Sequence, residues 1–280
     1  ILISDADASR LRKGLSLPSR RLVPCILAAL MAGTVTFGAL PCAYADPIVR
    51  STVTEDIDAP DGVAGSIDGS AATITIGTEG GGTSPVLTNG SRGGDVSGLF
   101  YEGAKPNTSR ESPFTLQGGR AVIRSGRMRQ LYGGNARVQT TGGADASVQV
   151  TGSSVTLAGG RSGNVFGGYA SARSDAGNAY AAARGNAVHL QGGVYQSVHG
   201  GMAEARTNAG SSTAIAEGNT VYISGGNYNM NGSSIVAGFA RNPAGIAIAR
   251  NNTIEITGTP GLLQTLIGGK IPRCPLFCDK

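Results

Sequence analysis

The second half of the chain repeats itself every 33 residues, and this repeat constrains the fold more than any other feature. GNAVHLQGG begins at residue 185, GNTVYISGG at residue 218 and NNTIEITG at residue 251. In each copy two apolar residues flank one variable residue, which is the period-two pattern of a strand with one buried face. The equivalent apolar positions form two series: Val155, Val188, Val221 and Ile254, and then Leu157, Leu190, Ile223 and Ile256.

Each of these strands is bounded by residues that favour sharp turns. A glycine or Asn251 begins each copy, and a glycine pair follows the strand in all but the last. Glycine and asparagine tolerate positive φ, so the chain turns at these points. Asn186, Asn219 and Asn252 occupy one equivalent position, where we expect a ladder of stacked side-chain amides.

Two further blocks complete each unit. One block reads VFGGYA from Val165, VHGGMA from Val198 and VAGFA from Val236; the third is shifted by four residues and the loop after it is shorter by four. The other block places small apolar residues inward, among them Val148, Ala181, Ala214 and Ala247. We therefore expect three short strands in each unit, with Asp175 and Glu204 in the loop after the V-x-GG block.

Three strands and three corners in 33 residues fit one coil of a parallel β-helix. Ankyrin repeats have the same length but need helices, and a propeller blade needs four strands in about 40 residues. Glycine supplies 45 of the 280 residues, but 40% of the chain is apolar and the glycines recur at fixed positions, which argues against a disordered linker. We predict an all-β, right-handed parallel β-helix preceded by a signal peptide.

Four segments follow from these patterns. Residues 1–45 read as an extended signal peptide, 46–119 as a Gly-rich region of irregular or capping coils, 120–260 as the β-helix repeats, and 261–280 as a non-repeat tail. The leader has two arginines, an apolar stretch and an A-x-A motif, so we expect cleavage between Ala45 and Asp46. A transmembrane helix is the alternative, but two prolines and two glycines interrupt the stretch. Cys274 and Cys278 are spaced for a short disulfide or are incidental to the tail.

The leader ends in AYA, and units of the form GN-x-V-x-I-x-GG and V-x-GG-Y-A follow it. This arrangement resembles the passenger region of autotransporters, the type V secretion proteins of Gram-negative bacteria. The resemblance implies export by the Sec machinery and passage through the outer membrane by a C-terminal β-barrel. No such barrel pattern follows residue 258, so the tail reads as truncated or frameshifted. The implied location is the cell surface or outer membrane, or the periplasm or medium for a truncated product.

The resemblance implies an adhesin or surface scaffold that binds through loops and outward side-chain columns. The expected partner is a host-surface glycan or protein, or other bacterial cells, and the candidate contacts are Tyr169, Tyr222, Tyr228 and Phe239. Outside the leader 18 basic residues face 16 acidic ones, a balance that does not suggest a nucleic-acid partner. The alternatives are a polysaccharide-degrading β-helix enzyme and a non-functional autotransporter remnant.

No catalytic, cofactor-binding or metal-binding residue is predicted. The acids of the repeats lie in scattered columns, whereas acid–base chemistry on a glycan needs a cluster of them. His189 and His199 occupy columns that also accept Thr, Tyr, Glu or Phe, which indicates solvent-facing positions. We read one group of arginines as a solvated face, with binding of sulfated glycans or lipopolysaccharide phosphates as the alternative: Arg120, Arg124, Arg127, Arg129 and Arg137.

Overall fold

The computed structural model describes residues 47–59, 62–67, 71–79, 82–89, 92–105, 108–228, 234–258 and 265–270. They belong to one of the two units into which the chain divides, Ala45–Lys280. They form a β-solenoid of about six turns with coils of about 33 residues, so the predicted all-β parallel β-helix is confirmed. The predicted leader, its cleavage site at Ala45 and Asp46, and both C-terminal cysteines lie outside the described residues.

The strands, numbered in chain order, form three long sheets and one small sheet. Sheet 1 contains β2 (Thr52–Val53), β5 (Thr73–Ile76), β10 (Arg120–Ile123), β13 (Ser154–Leu157), β16 (Ala187–Leu190), β20 (Thr220–Ile223) and β24 (Thr253–Ile256). Sheet 2 contains β1 (Ile48–Val49), β4 (Val63–Ile67), β8 (Asp95–Gly103), β11 (Arg127–Thr140), β14 (Arg161–Ser174), β17 (Val194–Tyr195), β18 (Ser197–Thr207), β21 (Asn227–Tyr228), β22 (Ile235–Arg241) and β25 (Leu266–Lys270). Sheet 3 contains β9 (Phe114–Gln117), β12 (Ala146–Thr151), β15 (Ala179–Arg184), β19 (Ser212–Glu217) and β23 (Ile246–Arg250). The small sheet contains β3 (Ile57–Asp58), β6 (Leu87–Asn89) and β7 (Arg92–Gly93).

Each full coil passes through sheets 1, 2 and 3 in turn, and each strand pairs in parallel with its equivalent in the next coil. Val155 pairs with Val188, Val188 with Val221, and Val221 with Ile254. The column that starts at Leu157 is aligned in the same way and ends at Ile256. Both columns are fully buried up to the last coil, where Ile254 is half-buried and Ile256 is exposed.

Sheet 2 differs from the prediction in two respects. The V-x-GG block is not a short strand: β14 runs for 14 residues, and Glu204 lies within β18 rather than in a loop. In the fourth coil Ile235 pairs with Val198, and Val236 pairs with His199. The strand register follows the inward apolar column, so the coil is lengthened before β22 and not within it.

The region before residue 120 also contributes strands to the sheets. β1, β2, β4, β5, β8 and β9 all pair in parallel with strands of other coils. Their spacing is irregular: Thr75 pairs with Val122, 47 positions later, whereas Val122 pairs with Thr156, 34 positions later. The long interval includes β6 and β7, so the extra residues form the small sheet beside the solenoid.

Two hydrophobic cores fill the coil. The aliphatic core lies between sheet 1 and the first half of sheet 2, and its largest fully buried members are Tyr195, Ile74, Ile76, Leu87, Ile123, Leu131, Leu157, Leu190, Ile223 and Ile235. The alanine core lies between sheet 3 and the second half of sheet 2. Its members include Ala136, Ala146, Ala170, Ala172, Ala179, Ala181, Ala183, Ala203, Ala205, Ala214, Ala216 and Ala240, together with Val148 and Val150.

An asparagine ladder, formed by Asn186, Asn219 and Asn252, stands between the two cores. The Nδ2 of Asn186 donates to Oδ1 of Asn219 at 3.0 Å, and the Nδ2 of Asn219 donates to Oδ1 of Asn252 at 2.9 Å. Each amide also donates to the backbone carbonyl 36 residues earlier. A Cβ on Gly201 would lie 2.2 Å from Oδ1 of Asn219, which explains the second glycine of the V-x-GG block.

Candidate binding surface on the outer face of sheet 2

Parallel register on sheet 2 gathers aromatic side chains into two adjacent columns on its outer face. Tyr132, Phe166 and His199 are aligned in successive coils. Tyr169 and Phe239 belong to the next column, separated by Met202. None of the five aromatic residues belongs to either core. We call this set, Tyr132, Phe166, Tyr169, His199 and Phe239, the aromatic face.

The rings of the aromatic face pack within and between the columns. Tyr132 and Phe166 stack with centroids 4.9 Å apart, and Phe166 and His199 stack at 5.1 Å, close to the spacing of about 4.8 Å between strands. Tyr169 packs on Phe166 at 5.8 Å, and His199 meets Phe239 edge-on at 5.5 Å. The aromatic face is therefore a continuous packed surface rather than a row of separate side chains.

Burial differs between the earlier and the later coils of the face, and it corrects one prediction. Tyr132 is 2% exposed and Phe166 is 7% exposed, whereas Tyr169, His199 and Phe239 remain half-buried. His199 was expected at a solvent-facing position. That expectation is wrong for its column, because the neighbouring rings cover one another and Val236 on the other side is fully buried.

Polar groups without partners line the same face. Among the described residues, no group pairs with the buried Oδ1 of Asn135, the Nε of Arg137 or the Nδ1 of His199. The hydroxyl of Tyr169 donates to Oε2 of Glu204 at 2.8 Å, and the guanidinium of Arg137 lies 5.4 Å from the centre of the Tyr169 ring. The face thus combines flat apolar rings with charged side chains, and it covers polar atoms that have no hydrogen-bond partner.

Burial favours the neutral form of three side chains of the face, Tyr132, Tyr169 and His199. It raises the pKa of Tyr132, and together with the negative charge of Glu204 it raises the pKa of Tyr169 to about 12. Burial, assisted by the positive charge of Lys270, lowers the pKa of His199 to about 4. Both phenols therefore keep their protons, and the imidazole of His199 carries no charge.

The four predicted contact residues do not form one surface. Tyr169 and Phe239 lie in the aromatic face, whereas Tyr222 lies on sheet 1 and stacks on His189 at 4.7 Å. Tyr228 is in β21 opposite Tyr195, and its side chain lies outside the described residues. Sequence reasoning did not single out Tyr132, Phe166 or Asn135, although each directly flanks the glycine pair of its repeat unit.

The predicted arginine group is also divided by the structure. Arg129 makes two hydrogen bonds to Asp95, at 2.9 and 2.8 Å. Arg124 lies 3.8 Å from Glu79, and Arg137 lies 3.7 Å from Glu102. Arg127 and Arg129 both line a groove beside β6, and within the described residues Arg127 makes no ion pair.

Comparisons with known proteins add no relative to this description. No family model, no curated protein and no solved structure matches the chain. Within the described ranges, no three His, Cys, Asp or Glu side chains converge so as to hold a metal ion. The same residues contain no apolar helix of membrane-spanning length.

Proposed function

We propose that the chain is an exported β-helical passenger of the autotransporter type that acts at the cell surface as an adhesin or scaffold. The observation that carries the proposal is the aromatic face, with the charged side chains of Glu204 and Arg137 against Tyr169. Rings such as Tyr169 and Phe239 offer rigid contact area at low entropic cost, as interface aromatics do. The solenoid contributes by holding these rings at a fixed spacing on regular strands.

The partner that suits this face is a glycan or protein on a host surface, or on another bacterial cell. The apolar side of a sugar ring can stack on an exposed aromatic ring, and its hydroxyls need hydrogen-bond partners. The partly exposed side chains of Arg137 and Glu204 provide both kinds beside the rings, since the guanidinium donates and the carboxylate accepts. Export by the Sec machinery and display outside the cell belong to the same proposal.

The test measures binding of the purified chain to a panel of immobilised neutral and acidic oligosaccharides and to cultured epithelial cells. We expect the Tyr169→Ala/Phe239→Ala variant to weaken binding at least about tenfold, since truncation of a central aromatic contact costs 1.4 kcal/mol or more. The matched control is Tyr222→Ala on sheet 1, which should bind like the parent. Unchanged binding by the double variant, with an unchanged thermal unfolding midpoint, would contradict the proposal.

A polysaccharide-degrading enzyme is the second candidate. The observation that favours it is the contact of Tyr169 with Glu204 and Arg137, because a tyrosine, a carboxylate and an arginine can share proton transfer and charge stabilisation. Incubation of the chain with acidic polysaccharides, followed by an assay for new reducing or unsaturated ends, tests it. Product that is lost in the Glu204→Gln variant would favour the enzyme over the adhesin.

A further inference from the structure

A groove of about 380 Å³ opens on the outer face of sheet 2 where β11 and β14 begin, with β6 as its opposite wall. Its volume is within the range of small-molecule sites. We call it the arginine groove, and its lining residues are Val86, Leu87, Thr88, Arg127, Met128, Arg129, Arg161, Ser162, Gly163 and Gln196.

Two of the groove's three arginines are not neutralised. Arg129 is held by Asp95, but in the described part of the chain no carboxylate pairs with Arg127 or Arg161. These two residues are partners in register on adjacent strands, about 4.8 Å apart. Like charges placed directly opposite each other destabilise a sheet. The pair therefore favours an anion between its guanidinium groups.

The groove wall beside Arg127 is fixed by backbone contacts. The amide of Arg127 donates to the carbonyl of Pro85 at 2.9 Å, and Val86 forms a bridge with Arg127. The amide of Arg161 donates to the carbonyl of Gly126 at 2.8 Å. Two acids lie on the β6 side: Asp56 accepts the amide of Val86 at 2.8 Å, and Asp58 accepts the hydroxyl of Thr88 at 3.0 Å. Both arginines therefore extend from an ordered backbone into a groove whose lining, among the described residues, includes no carboxylate.

We propose that the arginine groove binds a sulfate or carboxylate group of an anionic polysaccharide. The planar guanidinium donates two parallel hydrogen bonds to such an oxyanion, and two arginines at strand spacing can hold one group between them. The proposal deepens the adhesive function above and depends on it for the polymeric nature of the ligand. Arg127 and Tyr132 are five positions apart on β11, about 16 Å along the strand, so one chain of several sugars can reach both sites.

A matched pair of arginines lies elsewhere on the same sheet. Arg173 and Arg206 are also partners in register, both are exposed, and neither lines the groove. Removing either pair changes the net charge by the same amount. A comparison of R127Q/R161Q with R173Q/R206Q therefore separates a built site from general attraction between a basic protein and an anionic polymer.

The experiment measures binding of fluorescent dextran sulfate, polygalacturonate and neutral dextran to the full chain in 150 mM salt. We expect R127Q/R161Q to weaken binding of the anionic polymers at least tenfold and R173Q/R206Q to weaken it less than threefold. Equal losses in both variants, or no loss in R127Q/R161Q, would overturn the proposal. Vesicles that contain phosphatidylglycerol form a further arm, and tighter groove-dependent binding to them would replace the polysaccharide with a lipid surface.

Inorganic sulfate tests the groove independently of adhesion. We expect added sulfate to raise the unfolding midpoint of the parent chain more than that of R127Q/R161Q, because sulfate binds the folded groove. A difference in sulfate stabilisation without polymer binding would support an oxyanion site and overturn its polymeric ligand. Equal stabilisation of both chains would overturn the site itself. Loss of cell binding in the Tyr169→Ala/Phe239→Ala variant with the sulfate effect intact would assign adhesion to the aromatic face alone.

Discussion

The two cores lie side by side in every regular coil, yet they are built from different side chains. β14 contributes Val165 to the aliphatic core and, a few residues later, Ala170 and Ala172 to the alanine core. Large branched side chains fill the space between sheets 1 and 2, whereas alanines fill most of the space between sheets 2 and 3. Because protein interiors are close-packed, we infer that side-chain volume, repeated coil after coil, sets the separation of the sheets.

Between the cores the asparagine ladder satisfies the backbone of the corner. Oδ1 of Asn219 accepts both the backbone amide and the Nδ2 of Asn186, at 3.1 and 3.0 Å. A buried polar group is tolerated only when its hydrogen bonds are made, and here they are made in both directions along the axis. The corner is therefore specified by hydrogen bonds, and the cores on either side by volume.

The largest expected effect is the loss of the ladder. Asn219→Ala leaves two buried donors of Asn186 and the carbonyl of Ala183 without partners, and each unsatisfied group costs about 1–3 kcal/mol. We expect the free energy of unfolding to fall by about 3–6 kcal/mol, measured by urea denaturation. Asn252→Ala is the control at the half-buried end of the ladder, where water can replace the lost oxygen. An equal loss in the two variants would show that the ladder is not the source of the stability.

The next largest loss of stability is expected when a large side chain of the aliphatic core is shortened or a small one of the alanine core is enlarged. Leu190→Ala creates a cavity in the aliphatic core, at a cost of about 2–5 kcal/mol. Ala216→Leu overfills the alanine core and costs about 1–3 kcal/mol or more, although the new residue is the more hydrophobic one. Denaturation of both variants checks the comparison. A stabilising Ala216→Leu would mean that the alanine core has spare volume.

The smallest expected effect is a pH dependence of the free energy of unfolding that arises from His199 on the outer face of sheet 2. The pKa of His199 falls from its usual 6.5 to about 4 in the folded chain, so the unfolded chain binds more protons between these values. Stability should therefore decrease as the pH falls from 6.5 to 4 and show no further loss from this group below 4. We expect about 1–2 kcal/mol, less than the full shift implies, since the ring is partly exposed.

His199→Phe, which copies the residue at position 166, should remove most of this slope. His189→Thr, which copies position 156, is the control on sheet 1, where burial lowers the pKa of a more exposed ring. The ion pair between Glu217 and Arg250 on sheet 3 affects the free energy of unfolding only at lower pH. Hydrogen bonding to Arg250 lowers the pKa of Glu217, so its contribution is lost only below about pH 4.5. A slope between pH 6.5 and 5 that survives His199→Phe would contradict the assignment.

Much of the fold followed from the sequence because each repeat uses the same apolar positions. The alternation around Val188 and Leu190 defined a strand, and the recurrence at 33 residues defined its neighbours. Asn219 could be placed in a ladder because an amide is the side chain that donates and accepts along a stack. The full length of β14 was missed, since YASARS alternates alanine with polar residues and alanine gives a weak hydrophobic signal.

The candidate site was only partly visible in the sequence. Tyr169 and Phe239 were chosen as outward aromatics, but the glycine pair that precedes Tyr169 hid its proximity to Phe166. Two glycines bring the flanking residues to the same outer face, which simple period-two counting does not predict. The arginine groove needs β6, whose position depends on an interval of irregular length and not on the repeat. Sequence patterns define positions within a coil better than the packing of segments added to it.

The asparagine ladder also gives the solenoid a direction. Each hydrogen bond between two side chains of the ladder runs from the Nδ2 of one asparagine to the Oδ1 of the asparagine in the later coil. A coil laid down in reverse would present donor to donor, and one displaced by a single residue would present a neighbouring side chain in place of the oxygen. The ladder bonds are therefore formed only when each successive coil has one orientation and one register.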